Sequence, residues 1–292
     1  MSENPRVMQL LDDISEKITA LRRELGGVEP ASTEALLAEM DLETGMMLVE
    51  EETAVIPPMT VGEEIVGGEE TEAFPDCCAV GNDTGYYCTG TLIAPNVVVT
   101  ARHCESATRV FLKGTSIHEP ENGETIRVDR LYFHSEVDLM VLVLAEDATV
   151  PPRHVAQGDE VYAAKTAVAA GFGTVDLNGQ VGYGLKRQVE VPLISVGCQQ
   201  TGDDVRYGCA RGREAVAGHR GLKKDSCKGD SGGPLYIKAE GGDDYYLLGA
   251  TSRGARGGYT TCGDGGIYVR VDLCLDWIRE ITGADIGGSR LS

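Results

Sequence analysis

The sequence predicts an all-β protein, a sandwich or a barrel, closed by one helix at its C-terminal end. Three observations lead there. From Ile65 onward the chain breaks into short apolar or β-branched runs separated by Gly, Asn and Asp, as frequent short strands joined by turns would. The 292 residues include 38 glycines and 11 prolines, which excludes a mainly helical bundle or a coiled-coil rod. The last apolar stretch, Cys274 to Ile281, carries Trp277 and Ile278 and stops before Gly283, as a helix with a glycine stop does.

The strand candidates follow in order. They are Thr91 to Ile93, Asn96 to Thr100, Arg109 to Leu112, Leu139 to Leu144, Val168 to Ala170, Val189 to Leu193, Leu235 to Ile237, Leu247 to Ala250 and Ile267 to Val271. The longest apolar run, Val137 to Ala145, is broken by Asp138. It falls short of the roughly 18 residues that a membrane span needs, so no membrane span is expected. No internal repeat is visible.

Residues 1–64 read differently. The formal charge of −20 divides into −11 there and −9 over residues 65–292. This acidic balance excludes a general nucleic-acid binder, which needs a basic face for phosphates. Val7, Leu11, Ile14, Ile18, Leu21 and Leu25 form a seam of heptad spacing, ended by Gly26 and Gly27. It predicts an amphipathic helix that lies on the main domain, since fewer than three heptads is short for self-association. A second, weaker helix is expected over Ser32 to Asp41. Met46 to Thr60 reads as a linker, with Pro57 and Pro58 enforcing extension.

Nine cysteines are scattered along the chain, none in a Cys-x-x-Cys pair. That pattern argues against a zinc ribbon or a redox motif and favours disulfides in an oxidising compartment. Met1 to Gly27 lacks the basic start and apolar centre of a signal peptide. The two signals disagree. The cysteines favour a secreted or extracytoplasmic protein, and the N-terminus leaves a cytosolic one open.

Three local sequences carry chemistry. They are Thr100-Ala101-Arg102-His103-Cys104 after a β run, Val137-Asp138-Leu139 before another, and the ten residues from Asp225 to Pro234, which contain Gly229-Asp230-Ser231-Gly232-Gly233. In this His, Asp, Ser order, residues 65–292 resemble the trypsin/chymotrypsin family of serine proteases (peptidase S1). The resemblance implies two packed six-stranded antiparallel Greek-key barrels with a C-terminal helix. It also implies an acidic pro-segment over 1–64 and a protease domain over 65–292.

The roles that follow have physical reasons. A serine hydroxyl is a weak nucleophile and needs an adjacent base. The expected catalytic residues are Ser231, His103 as that base and Asp138 to fix the tautomer of His103. The backbone N–H groups of Gly229 and Ser231 are the expected oxyanion hole. His118, His134, His154 and His219 carry no such motif and read as structural or exposed.

The resemblance extends to specificity. Asp225 falls at the floor of the primary pocket, where an acid selects Arg or Lys because a buried cation needs a counter-charge. Ser252, Gly254 and Gly266 fall on its walls, and the two glycines leave room for a long side chain. Arg253 stands where the family has Trp, and Lys228 stands at the pocket mouth. Both are expected to favour acidic residues flanking the cleavage site.

Two disulfides follow from the resemblance, Cys88 with Cys104 and Cys227 with Cys262, and Cys198 with Cys209 is expected to close the loop between them. Cys77, Cys78 and Cys274 remain, with one of the first two a candidate partner for Cys274. Ile65-Val66-Gly67-Gly68 matches the family's mature N-terminus. The new amine of Ile65 is expected to pair with Asp230 after cleavage at Glu64–Ile65.

That bond follows two glutamates, and no Lys or Arg occurs from Glu24 to Glu64. A separate, acid-preferring activating protease, or activity without cleavage, is therefore expected. No cofactor and no metal are expected, and Glu119, Glu121 and Glu124 read as a solvated loop. The expected function is a serine endopeptidase made as a zymogen, acting on proteins or peptides after Arg or Lys. The alternatives are a catalytically inactive homologue used for binding, and a cytosolic protease regulated through its acidic N-terminal segment.

Overall fold

A computed structural model describes residues 67–290, apart from 177, 179 and 239–241 and the side chains of 159, 160 and 288–290. The expected helices over 7–25 and 32–41, the linker and Ile65 lie outside the described residues.

Residues 77–144 form a closed antiparallel barrel. Its strands are β2 (Cys77–Asn82), β3 (Gly85–Ala94), β4 (Val97–Thr100), β5 (Arg109–Leu112), β6 (Glu124–Phe133) and β7 (Met140–Leu144), paired around the ring as β2-β3-β4-β7-β6-β5. The unbroken apolar runs are strands buried on both faces. In β4, Val98 packs inside this barrel with Leu92, Met140 and Leu142. Its neighbours Val97 and Val99 face a second core, with Phe172, Tyr236 and Leu247. The period-2 alternation of a strand therefore feeds two cores at once, and both positions must be apolar.

The second barrel uses β9 (Thr166–Gly171), β10 (Arg187–Ser195), β11 (Glu214–Ala217), β12 (Pro234–Lys238), β13 (Tyr245–Gly254) and β14 (Gly266–Arg270). They pair as β12-β9-β10-β11-β14-β13, and β13 returns to β12 to close the ring. Short β1 (Glu69–Glu70) pairs with β10, and β8 (Val155–Gln157) runs parallel to β13 and to β15 (Gly288–Arg290). Val189, Val191 and Leu193 alternate into this barrel's own core.

Helix α1 (Asp203–Tyr207) is one turn in a loop of the second barrel, and α2 (Leu275–Thr282) follows β14. α2 buries Leu275 and Ile278 in the shared core. Gly283, at φ +67°, stops it with its N–H on the Arg279 carbonyl. Among the described residues no helix is long and apolar enough to cross a membrane.

A polar cluster pins the seam between the barrels. Asp76, fully buried just before β2, accepts a hydrogen bond from the Tyr236 hydroxyl on β12 at 2.6 Å and another from Arg153 in the connecting segment. The Arg153 guanidinium lies over the rings of Phe74 and Tyr236, which stack at 4.3 Å. The buried carboxylate thus has both an ionic and a neutral partner, as burial requires.

Candidate active site

Of the three expected triad residues, His103 and Asp138 meet at the first barrel's rim, and the backbone of Ser231 is tied to the same barrel through Thr89 and Cys104. His103 sits in a single 3₁₀ turn, Arg102–Cys104, directly after β4, and Asp138 lies just before β7. β4 and β7 are paired neighbours, with Thr100 opposite Met140, so the sheet register brings the two residues to one rim. Asp138 accepts the backbone N–H of His103 at 3.1 Å, and its Oδ2 lies 2.9 Å from His103 Nδ1. Ser252 Oγ, from β13 of the other barrel, donates to the same carboxylate at 2.7 Å.

The electrostatics follow from these contacts. The hydrogen bond to Asp138 raises the His103 pKa above its ordinary value, against a smaller lowering by partial burial. Burial alone pushes Asp138 up, but the bonds from His103 and Ser252 outweigh it and leave the carboxyl below its ordinary range. With Nδ1–H directed at Asp138, Nε2 of a neutral His103 is an acceptor.

Ser231 follows a turn that only glycine fits. Gly229 has φ +97°, and a Cβ there would come within 2.8 Å of the Tyr183 ring and 2.9 Å of the Gly173 Cα. The turn is tied down from both barrels. Thr89 of β3 donates from its N–H to the Ser231 carbonyl at 2.9 Å, and its hydroxyl donates to the Gly229 carbonyl at 2.8 Å. The Cys104 sulfur, one residue from His103, lies 3.7 Å from the Ser231 carbonyl oxygen.

Asp230 is buried and accepts the N–H groups of Gly173 and Cys227, each at 2.8 Å. Burial pushes its pKa up to about 6 despite those bonds. Ile65, its expected partner, lies outside the described residues.

A cavity of about 200 Å³ opens beside Ser231 and is lined by Asp225, Ser252, Gly254 and Lys228. Asp225 is 3% exposed and accepts from the Ser226 N–H at 2.7 Å and the Tyr268 hydroxyl at 3.3 Å. Burial dominates these bonds and pushes its pKa up to about 7. Gly254 leaves open space where a Cβ would stand, and a Cβ on Gly266 would press on Asp225 Oδ1 at 3.1 Å. The facing loop is held by Asp264, which accepts the N–H groups of Gly221 and Thr260 at 2.7 and 2.9 Å.

Arg253 departs from its expectation. Its guanidinium forms a two-pronged pair with Glu214 on β11, at 2.8 Å on each side, and also donates to the Gly208 carbonyl at 2.9 Å. Its charge is therefore matched within the protein rather than offered free to a substrate. Glu214 and Thr89 were not singled out from the sequence. For Glu214 a signal exists: Glu214-Ala215-Val216-Ala217 is a buried strand with a charge at its first position, and such a charge needs a partner.

The three expected disulfides form, Cys88–Cys104, Cys198–Cys209 and Cys227–Cys262. The candidate bond to Cys274 does not: Cys77, Cys78 and Cys274 are free and buried. Burial raises all three thiol pKa values, Cys274 to about 11, so they stay protonated and pack as small apolar groups. Glu119 and Glu124 each take a protein partner, the Asn122 amide and Thr149.

Comparison with known proteins agrees with this geometry. The sequence profile of the trypsin family matches residues 65–278. Hypodermin-B of Hypoderma lineatum is 30% identical over 234 residues, 74% of this chain and 86% of its own. Trypsin 5G1 of Aedes aegypti is 30% identical over 238 residues, 75% of this chain and 85% of its own. Melanization protease 1 of Drosophila melanogaster is 28% identical over 269 residues, 75% of this chain and 66% of its own. Two closed barrels sharing one site at their seam, and relatives that match over most of their length, have one explanation: the chain belongs to the trypsin family of serine proteases.

Proposed function

We propose that the protein is an endopeptidase that cleaves after Arg or Lys through Ser231, His103 and Asp138. His103 Nε2 takes the Ser231 proton as Oγ attacks the scissile carbonyl. The N–H groups of Gly229 and Ser231 receive the oxyanion. His103 then returns its proton to the leaving amine, and the resulting acyl-enzyme is hydrolysed by water through the same steps in reverse. Asp138 holds the imidazole orientation and stabilises its cation.

One observation carries the specificity: Asp225 is almost fully buried at the cavity beside Ser231. An isolated buried carboxylate is costly, and a substrate guanidinium or ammonium supplies the missing charge. The test compares peptides that differ only at the residue before the cleaved bond. Rapid turnover with Arg or Lys and none with Leu or Glu is expected. Equal turnover of Leu and Arg peptides overturns the specificity, and failure of a fluorophosphonate to label Ser231 in protein that begins at Ile65 overturns the mechanism.

We further propose that residues 1–64 are a pro-segment, removed at Glu64–Ile65 by a different protease. The free amine of Ile65 then pairs with Asp230 and orders the oxyanion turn. The absence of Lys and Arg from Glu24 to Glu64, apart from this bond's own glutamates, supports a separate activator. N-terminal sequencing of the active protein is expected to begin at Ile65. Self-processing at Glu64 by the pure protein would refute the separate activator.

A further inference from the structure

We propose that Arg253, held by Glu214, is a positioning residue for the Asp138–His103 couple and acts on it through Ser252. The inference rests on the serine-protease reading of the site. Side chains of consecutive strand residues normally point to opposite faces. Here the pairing of β13 with β14 shifts register between Thr251 and Arg253. Such a bulge breaks the alternation, and Arg253 Nη1 reaches back to Ser252 Oγ at 3.1 Å. Ser252 Oγ in turn donates to Asp138 at 2.7 Å, and Asp138 Oδ2 holds His103 Nδ1 at 2.9 Å.

The hydrogen-bond inventory leaves little freedom in this chain. A serine hydroxyl has one proton to give, and the Arg253 donor fixes that proton toward Asp138. All four protons on the terminal nitrogens of Arg253 are used, by Glu214 Oε1 and Oε2, Ser252 Oγ and the Gly208 carbonyl. The Glu214 side chain is 5% exposed and also accepts the Ala210 N–H at 2.6 Å, so the fork is anchored at its buried end. The guanidinium is in contact with Ser252, which makes it the nearer charge of the pair to Asp138. Asp138 is among the groups that hold the Arg253 pKa above its ordinary value, behind Glu214.

The consequence has a sign. A cation behind Asp138 stabilises the carboxylate and disfavours the imidazolium, so it holds the His103 pKa down against the rise that Asp138 causes. The other charges around the couple are accounted for. Arg102 donates to the His134 carbonyl, and Glu136 pairs with Arg213 at 2.8 Å. Asp225, Lys228 and Asp230 belong to the Ser231 loop.

The test titrates His103 in the full chain by NMR of its ring, assigned by loss of the signal in His103→Gln. In parallel, the pH dependence of Ser231 labelling by a fluorophosphonate is measured on the same protein after cleavage at Glu64–Ile65. Arg253→Gln removes the cation and leaves Glu214, so the His103 midpoint is expected to rise by about half a unit or more. Glu214→Gln leaves the cation unmatched, so the midpoint is expected to fall by a similar amount. Arg253→Lys keeps the charge and is expected to stay near the parent value.

A merely structural role would slow labelling in both variants without moving the midpoints in opposite directions. Shifts of the same sign, or none, overturn the proposal. If Arg253→Gln does not fold, a fall in Glu214→Gln with no shift in Arg253→Lys supports it, and any other pattern overturns it. If the parent protein cleaved at Glu64–Ile65 is not labelled at all, the protease reading fails and the ring titration alone decides this inference.

Discussion

The two barrels place their functional groups by different means. In the first, the proposed base His103 and its partner Asp138 stand at the ends of paired strands, β4 and β7, whose register brings them together. In the second, Ser231 and Asp225 lie in the long connection between β11 and β12. They are held by the Cys227–Cys262 disulfide and by the buried carboxylates of Asp230 and Asp264. A base can be fixed by a packed wall. A nucleophile beside a cavity cannot, because filling the space with apolar side chains would close the pocket. Cross-links and backbone-binding acids do that work instead.

The sharpest test separates chemistry from framework. Ser231→Ala and His103→Ala are each expected to lower kcat by roughly 10³ to 10⁶-fold, with little additivity in the double variant. Circular dichroism is expected to stay unchanged. Simple multiplication of the two effects would break the picture of one unit divided between barrels.

The next test isolates the loop-built side. Asp225→Asn is expected to cut kcat/KM for Arg peptides by at least about a hundredfold. Fluorophosphonate labelling of Ser231 should hardly change. A parallel loss of labelling would mean that the pocket and the nucleophile are not separable.

Stability should divide the other way. Leu142→Ala empties part of the first barrel's core and is expected to cost about 2–5 kcal/mol in denaturant unfolding. Its folded fraction should keep the same KM. Removing the Cys227–Cys262 bond by replacing both residues with Ser is expected to cost about 2–4 kcal/mol and to raise KM for Arg peptides. An unchanged KM would show that the loop holds its shape without the bond.

The smallest effect is protonic. The Asp225 pKa in the free protein is about 7, and only the ionised form attracts a cation. Affinity for a guanidinium inhibitor is therefore expected to fall as pH drops below 7, approaching tenfold per unit. Proton release on binding should accompany it. Binding that is flat from pH 5 to 8 would place the ionisation of Asp225 elsewhere.

Much of this was legible in the residues. The strand runs at Asn96 to Thr100 and Leu139 to Leu144 and the closing helix before Gly283 stand where the sequence puts them, and the disulfides beside His103 and Cys227 where the family resemblance puts them. They could be read because each depends on local pattern or on a dense motif. The Glu214–Arg253 fork and the Thr89 contacts could not, since each joins residues far apart in sequence with no motif around them. The freedom of Cys274 was hidden for the same reason, because pairing depends on distance in the fold rather than on the number of cysteines.

The seam cluster of Asp76, Arg153 and Tyr236 joins three separate stretches of chain. Replacing Arg153 alone would leave the buried Asp76 carboxylate without its ionic partner, which costs about 3–5 kcal/mol where such a charge stays buried. Under the proposed cleavage after Arg or Lys, the chain carries its own cleavage sites, and the buried Lys186, Arg187 and Arg270 are out of a neighbouring copy's reach while the fold holds. On that reading, a copy that unfolds turns from an enzyme into a substrate of its intact neighbours.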